Sequence, residues 1–232
     1  MAVDSRLIQA ITAALAGAQH AERAAAQQAY MKSEMPYFGI TTPQLRRLLK
    51  PHLATYSPGS RADWQDTVGH LWDHATHREL RYAATGLAAH EAAARWRDPE
   101  SMDLWRHLII TGAWWDHVDA IASTLVGEVL ANYRPQTTGL LRDWAHDEDQ
   151  WIRRTAVLSQ LKHKQSTDVD LLAHAIDANA ADPSFWLRKA IGWALREYAK
   201  TDAAWVRAYV GSHDLSPLSR REALKHVGAA DS

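Results

Sequence analysis

Residues 187–191 have the sequence LRKAI, an arginine among apolar and small residues, and this pattern recurs along the chain. The related segments are LRRLL at 45–49, LRYAA at 80–84, IRRTA at 152–156 and SRREA at 219–223. The interval of 72 residues between Arg81 and Arg153 leaves room for one more repeat, at WWDHVD (114–119). The successive intervals are then 35, 35, 37, 35 and 32 residues. Periods of this length, without strand patterns between them, are typical of stacked helix pairs of the HEAT type.

The composition also favours helices. The 232 residues include only 11 Gly and 8 Pro, 47% are hydrophobic and 23% are charged. Thr42-Pro43 and Ser216-Pro217 are typical of a capping residue followed by proline at the first helical position. We therefore predict an all-α fold, a HEAT-like helical repeat solenoid (α-α superhelix) of about six helical pairs or partial pairs, in a single domain over residues 1–232.

Several classes of protein are excluded by what the sequence lacks. There is no cysteine, which excludes disulfides, thiolate nucleophiles and cysteine-based metal sites. No run approaches the ~20 apolar residues that a membrane helix needs. The N-terminal MAVDSRLIQA does not resemble a secretory signal, so we expect a cytoplasmic protein. Phosphate-binding glycine loops, GxSxG and HExxH are also missing.

The charge is unevenly distributed. The net charge is −1, but residues 1–150 hold 14 Lys+Arg against 18 Asp+Glu, and residues 151–232 hold 12 against 9. This charge distribution is compatible with a surface that binds no particular ligand. It is also compatible with a local nucleic-acid-binding face.

Asp119 is the first candidate for chemistry. It shares a helical face with Trp115, four residues earlier. In the repeat alignment it takes a position that core-like residues fill elsewhere, namely Leu49, Ala84, Ala156, Ile191 and Ala223. Either the register slips in this repeat, or a carboxylate is held in a cleft for a purpose, because a buried carboxylate is costly unless it is paired. Trp115 takes a position filled elsewhere by leucine or isoleucine, so it is alternatively a plain core residue.

Two more groups of residues are candidates. In Arg153-Arg154, one arginine can brace the neighbouring repeat while the other faces a groove; two structural salt bridges are the alternative. Trp193 and Arg196 share a helical face, which suits an anionic backbone beside a flat or cationic group, or else is simple packing. Trp115, Arg154 and Trp193 lie 39 residues apart, which disagrees with the 35-residue register.

A metal site is a further possibility. His70, His74 and His77 have the spacing of one helical face, and three imidazoles can hold zinc. The surrounding segment is charged and polar, so a solvated face is the preferred interpretation, and we predict no metal and no cofactor.

Five separated blocks of the sequence stand out, namely YMKSEMPYFGITTPQLRRLL (30–49), TGAWWDHVDAIASTLVGEVL (111–130), WIRRTAVLSQLKHKQSTDVDLL (151–172), FWLRKAIGWALREYAKTDAAWV (185–206) and LSPLSRREALKHV (215–227). In this order, over residues 25–228, they resemble the AlkD family of DNA alkylation-repair glycosylases. The resemblance implies a solenoid whose concave face binds duplex DNA, and hydrolysis of the N-glycosidic bond of N3- or N7-alkylated purines such as 7-methylguanine and 3-methyladenine.

The resemblance also implies roles for residues. The catalytic acid is Asp119, the cleft tryptophans are Trp115 and Trp193, and the active-site arginine is Arg154, expected to fix a phosphate beside the lesion. Tyr30, Lys162, Phe185, Trp186 and Arg196 are implied to contact DNA. The late cluster of basic residues extends the predicted DNA-binding face to Arg153, Lys164, Arg188, Lys189, Arg220 and Arg221. We predict a monofunctional glycosylase without a lyase step, acting as a monomer on duplex DNA that contains alkylated purines.

Other functions remain as alternatives. HEAT-type solenoids often serve as protein scaffolds, and fold does not fix function. A non-catalytic module would hold damaged or branched DNA and leave the glycosidic bond intact.

Overall fold

The computed structural model describes residues 3–225 and 227, and this part of the chain contains helices and connecting loops without a strand. The prediction of an all-α fold is confirmed. The α-helices are α1 (Ser5–Ala16), α2 (Ala21–Met31), α3 (Thr42–Leu53), α4 (Arg61–Asp73), α5 (Arg78–Ala88), α6 (Met102–Gly112), α7 (Trp115–Ala120), α8 (Gly127–Asn132), α9 (Arg134–Trp144), α10 (Gln150–Leu158), α11 (Val169–Asp177), α12 (Phe185–Tyr198), α13 (Ala203–Ser212) and α14 (Pro217–Ala223). Short 3-10 segments are Glu91–Trp96, Pro99–Ser101 and Lys164–Ser166, and Ile121–Val126 is π-helical. None of the described helices has the length and apolar character to cross a bilayer.

Most helices begin at a short polar side chain that accepts a hydrogen bond from the first turn. Ser216 caps α14 and Pro217 is its first residue, as predicted. In α3 the cap is Thr41 rather than Thr42, because Thr41 and Gln44 form a reciprocal capping box, and Pro43 therefore stands one residue deeper in the helix.

The chain divides into two compact units between Trp96 and Arg97. In the first unit, α1, α3 and α5 pack on one another and α4 packs on α5. The buried carboxylate of Glu79 accepts hydrogen bonds from the backbone N–H groups of Phe38, Gly39 and Ile40, which fixes the loop before α3. The single repeat domain over residues 1–232 stays a prediction, and residues 1–2, 226 and 228–232 lie outside the described part.

The second unit has two layers of helices. One layer consists of α7, the π-helical stretch, α10, α12 and α14, in which each element contacts the next. The other layer contains α9, α11 and α13. In it, α9 packs on α10 and α11, α11 packs on α10, and α13 packs on α12 and α14. The Tyr209 hydroxyl of α13 also donates to the carbonyl of Ala173 in α11. This alternation of layers is the arrangement expected of a helical repeat array, in which each repeat contacts its neighbours along the chain.

The recurring arginine has a structural role in this unit. At each of three repeats its guanidinium donates to a backbone carbonyl in the loop just before its own helix. The pairs are Arg153 with Asp147 at 2.7 Å, Arg188 with Asp182 at 3.0 Å and Arg220 with His213 at 3.1 Å. The recurring arginine therefore fixes the loop before its own helix, an interaction that we call a loop clamp. Carbonyl groups near a buried helix end need a hydrogen-bond donor from the protein.

The π-helical stretch joins α7 and α8 without a break in the helical backbone. Along this segment, Val118, Ala122, Val126 and Leu130 are all buried, at intervals of four residues. An α-helix turns 100° per residue, so a strict interval of four would drift around its surface. The wider π-helical turn compensates for this drift and keeps one apolar stripe facing the core.

Two glycines give a test of the packing at this segment. At Gly127 an added Cβ would lie 2.6 Å from the carbonyl oxygen of Ser159, whereas at Gly139 it would meet nothing within 4 Å. Gly127→Ala should therefore destabilise the protein by about 1–3 kcal/mol. Gly139→Ala, in the middle of α9, should stabilise it by roughly 0.5–1 kcal/mol.

Urea unfolding of both variants beside the unaltered protein measures these changes. Equal stabilities of the two alanine variants would contradict the close approach at Gly127.

Candidate active site

Asp119 and Arg154 form a bidentate ion pair between α7 and α10. Nε of Arg154 lies 2.7 Å from Oδ1 of Asp119, and Nη2 lies 2.8 Å from Oδ2. The Arg154 side chain is 2% exposed and that of Asp119 is 13% exposed. Two parallel hydrogen bonds between a guanidinium and a carboxylate fix the plane as well as the position of the acid.

Arg154 also binds the third helix of this layer. Its Nη1 donates to the backbone carbonyl of Trp186 in α12, and its guanidinium carbon lies 6.0 Å from the centre of the Trp186 ring. One buried side chain thus connects α7, α10 and α12. The sequence predicted a phosphate as the partner of Arg154, but the structure gives this arginine protein partners and almost no exposed surface.

The structure resolves the alternatives for Asp119 in favour of a register slip. Counted from the start of each helix, Asp119 is the fifth residue of α7 and corresponds to Arg154 in α10 and Lys189 in α12. The core position that the sequence alignment gave to Asp119 belongs to Ile121, which is fully buried. Every repeat thus has an apolar or small residue at that core position. Asp119 lies instead at the position that the charged residues Arg154 and Lys189 take in their helices.

The same slip changes the interpretation of Trp115. The buried position that Leu80, Ile152 and Leu187 fill in their helices is taken by His117, which is 1% exposed. Trp115 is the first residue of α7 and remains half-buried, so the plain-core alternative does not hold for it.

Three tryptophans form a cluster that the sequence reasoning missed as a group. The ring centres of Trp114, Trp151 and Trp186 lie 5.1–6.1 Å apart, and Phe185 meets Trp186 edge-on at 5.2 Å. The signal was available, because Trp114, Trp151 and Trp186 follow one another at 37 and 35 residues, the intervals of the repeat itself. The cluster stabilises the first turns of α10 and α12. Arg154 lies in α10, and the Trp186 carbonyl to which it donates lies in α12.

Burial raises the pKa of Asp119 above the ordinary value for aspartate. The hydrogen bonds and the positive charge of Arg154 oppose this increase, and the negative charge of Asp116 adds to it. Loss of solvent disfavours the ionised form, whereas an adjacent cation favours it. Arg154 therefore favours the ionised form of Asp119, which burial disfavours.

The two predicted cleft tryptophans are both half-buried, Trp115 at the start of α7 and Trp193 in the middle of α12. Within the described residues, no hydrogen bond or ring contact joins either of them to Asp119 or Arg154. Asp119 and Arg154, which do meet across this layer, follow the 35-residue register and not the 39-residue one.

The predicted DNA-binding residues differ in the solvent exposure and in the contacts of their side chains. Phe185 is 55% exposed, Lys164 is exposed, and Lys162 is exposed with its Nζ 2.8 Å from Oγ1 of Thr124. Trp186 is half-buried in the tryptophan cluster. Arg153 binds Asn179 and Asp182, so of the adjacent arginines it braces a neighbouring loop while Arg154 holds the acid.

The remaining predicted residues lie in α2, α12 and α14. Lys189 and Arg196 both bind Glu222, at 2.8 and 2.7 Å, and Arg221 is exposed. Arg188 and Arg220 are two of the loop clamps described above. Tyr30 belongs to the first unit and is 78% exposed.

The histidine group does not converge on a metal site. His70 and His74 stack with ring centres 4.1 Å apart, while His77 precedes α5 and stacks on Phe38 at 3.8 Å. Within the described residues, no three His, Cys, Asp or Glu side chains are grouped so that they could hold a metal ion.

The fold and the paired acid define a class of protein, namely all-α helical repeat proteins that hold a carboxylate between neighbouring repeats. The chain is similar to a solved structure described as a predicted DNA alkylation repair enzyme from Enterococcus faecalis, with a TM-score of 0.84 and 31% identity over 91% of this chain and 98% of that chain. The sequence profile of the DNA alkylation repair enzyme family matches residues 11–227, and the chain belongs to this family. The comparison with curated proteins gives no match. Family membership points to repair of alkylated DNA and to DNA as the partner.

The adjacent arginines provide a test of the electrostatics at Asp119. Because the folded pKa of Asp119 is raised, its contribution to stability is present below the ordinary aspartate pKa and is lost as the pH rises through the folded value. Arg154→Gln should raise the pKa of Asp119 further, because it removes both opposing influences. Arg153→Gln should leave it unchanged, since Arg153 binds Asp182 instead.

Carboxyl-carbon NMR titration of Asp119 in the two variants measures this difference directly. A midpoint in Arg154→Gln at or below that of the unaltered protein would contradict the assignment.

Proposed function

We propose that this protein is a monofunctional DNA glycosylase that hydrolyses the N-glycosidic bond of N3- or N7-alkylated purines in duplex DNA. The observation that carries the proposal is the Asp119 carboxylate, fixed by a bidentate arginine yet 13% exposed, in a chain of the DNA alkylation repair enzyme family. The finer resemblance to the AlkD glycosylases supports the same activity.

The chemistry places modest demands on the protein. Alkylation at N7 or N3 gives the purine a formal positive charge, so the base leaves as a neutral molecule and needs little protonation. The sugar develops oxocarbenium character at C1′ as the bond breaks. A carboxylate beside C1′ stabilises that charge and orients or deprotonates the attacking water. Water adds to C1′ and the free alkylated base is released.

Arg154 acts in this proposal as the residue that positions the acid. Its buried guanidinium opposes the rise that burial causes in the pKa of Asp119, which favours the ionised carboxylate, and holds both carboxylate oxygens in one plane. No separate base or nucleophile is required, and no lysine is assigned to a covalent step, so the proposal includes no strand cleavage.

Trp115 and Trp193 are proposed to contact the lesion through their half-buried rings. The face of an indole ring attracts cations by roughly 0.5–2 kcal/mol. The alkylated purine is cationic before the bond breaks, and its positive charge passes to the sugar as the base leaves, so aromatic faces suit the damaged nucleotide better than an intact one.

Base release is the direct test of the activity. The unaltered protein should release 7-methylguanine from methylated duplex DNA in the presence of a chelator. Asp119→Asn should release it at least about 100-fold more slowly, because the charge at C1′ is lost, while DNA binding is retained. Chromatography of the released bases measures both reactions.

Asp103→Asn is the matched control, since it removes an exposed carboxylate from α6 and should not change the rate. Equal rates in Asp119→Asn and the unaltered protein would refute the role of Asp119. DNA binding without release by the unaltered protein would instead indicate a non-catalytic DNA-binding module, and failure to bind DNA would favour a protein scaffold.

The salt dependence of binding tests the proposed DNA-binding surface. Each phosphate contact contributes about 0.9 to the slope of log affinity against log salt, so four contacts give a slope of about −3.6. Lys162→Gln should make the slope shallower by about 0.9, because its exposed ammonium is proposed to meet a phosphate. Fluorescence anisotropy over a salt series measures the slope, and a flat dependence would contradict phosphate contacts.

A further inference from the structure

The carboxylate of Glu222 binds two of the cations that the sequence assigned to DNA. Oε1 lies 2.8 Å from Nζ of Lys189, and Oε2 lies 2.7 Å from Nη1 of Arg196. Lys189 is 39% exposed and Arg196 is 20% exposed, while Glu222 itself is 13% exposed. Each oxygen thus holds one cation, as the two free oxygens of a phosphodiester would.

Gly192 determines this placement. It lies three residues after Lys189 and four before Arg196, so the three positions form one stripe along α12. An added Cβ on Gly192 would lie 2.5 Å from Cβ of Glu222 and 2.8 Å from the carbonyl oxygen of Ser219. The backbone of α14 therefore lies directly over the glycine, and Glu222 projects between the two cations.

The local electrostatics keep this group charged. The hydrogen bond from Lys189 lowers the pKa of Glu222, and the charges of Lys189, Arg196 and Lys225 lower it further against the effect of burial. The ion pair of Glu197 and Lys200, at the end of α12, differs from those of Glu222 because it does not join two helices. It joins two residues of one helix turn, and Lys200 is 66% exposed.

We infer that Glu222 occupies a phosphate-binding position and thereby lowers the affinity of the protein for undamaged duplex DNA. Lys189 and Arg196 carry two positive charges, and Glu222 neutralises one of them while satisfying the donors that would meet a phosphate oxygen. The ligand with which it competes is the phosphodiester backbone of duplex DNA. The inference rests on the DNA binding of the proposed function but not on its chemistry.

Such a residue affects the phosphate-dependent part of DNA binding rather than the reaction itself. Binding to phosphates is independent of sequence and damage, so every accessible cation increases the time spent on intact DNA. Masking two cations weakens binding to intact and damaged DNA alike, and leaves discrimination to the contacts made only with the alkylated nucleotide.

The test compares Glu222→Gln with Glu197→Gln in the full chain, which remove the same charge from different sites. We expect Glu222→Gln to bind an undamaged duplex about 3–10-fold more tightly at low salt, with a slope against log salt steeper by about 0.9–1.8, one or two additional phosphates. Glu197→Gln should change neither quantity appreciably. Fluorescence anisotropy with a labelled duplex over a salt series measures both.

Equal affinity in the two variants would overturn the inference, whether both match the unaltered protein or both bind more tightly. The first result would make Glu222 a brace between α12 and α14 only, and the second would reveal a general effect of net charge. Thermal unfolding of each variant checks that the fold is retained.

Two further variants keep the test decisive if Glu222→Gln unfolds. Glu222→Asp retains the charge but has a shorter reach and should give a smaller change in the same direction. In a double-mutant cycle, Lys189→Gln should reduce affinity more in the Glu222→Asp background than in the unaltered one; equal reductions would overturn the inference. Failure to release 7-methylguanine would refute the glycosylase proposal and leave these binding comparisons standing.

Discussion

The arrangement of the second unit depends on one buried guanidinium. Arg154 is 2% exposed, and its donors bind the carboxylate of Asp119 in α7 and the carbonyl of Trp186 in α12. Removing one member of a buried ion pair leaves an uncompensated charge, which typically costs about 3–5 kcal/mol. The three helices therefore keep fixed relative positions around Arg154, and the acid proposed for catalysis is held by the same interaction that joins the repeats. Local stability and local chemistry cannot be separated at this point of the fold.

The helix starts decide which residues meet there. Asp119, Arg154 and Lys189 are each the fifth residue of their helix, and each lies 35 residues from the next. The residues two before and two after each of these three are buried, so the charged row lies directly beside the core and its side chains contact their neighbours. The repeat thus aligns charged residues along one layer. Asp119 pairs with Arg154 because Asp119 is acidic, whereas Arg154 and Lys189 are basic.

The helical repeats and the all-α fold could be predicted from the sequence, because they depend on periods and residue types that are visible locally. The sequence left open whether the register slips at Asp119, and the slip of two residues could not be read from it because α7 starts at Trp115 without a side-chain cap. The partner of Arg154 and the cluster of Trp114, Trp151 and Trp186 were not predicted. Both depend on contacts between repeats, and only the register of the helix starts determines which side chains meet.

Asp119 and Glu222 both bind cations in this layer, but these ion pairs differ in how they respond to an approaching phosphate. Arg154 has almost no exposed surface, so a DNA phosphate cannot reach its donors without first displacing Asp119 or the Trp186 carbonyl from the protein interior. Lys189 and Arg196 are 39% and 20% exposed, so solvent and an incoming phosphate compete with Glu222 for them. Interactions among exposed charges are weak and screened by salt, whereas buried pairs are screened much less. An anionic ligand can therefore change the partners of Lys189 and Arg196 while Asp119 keeps the orientation that Arg154 gives it.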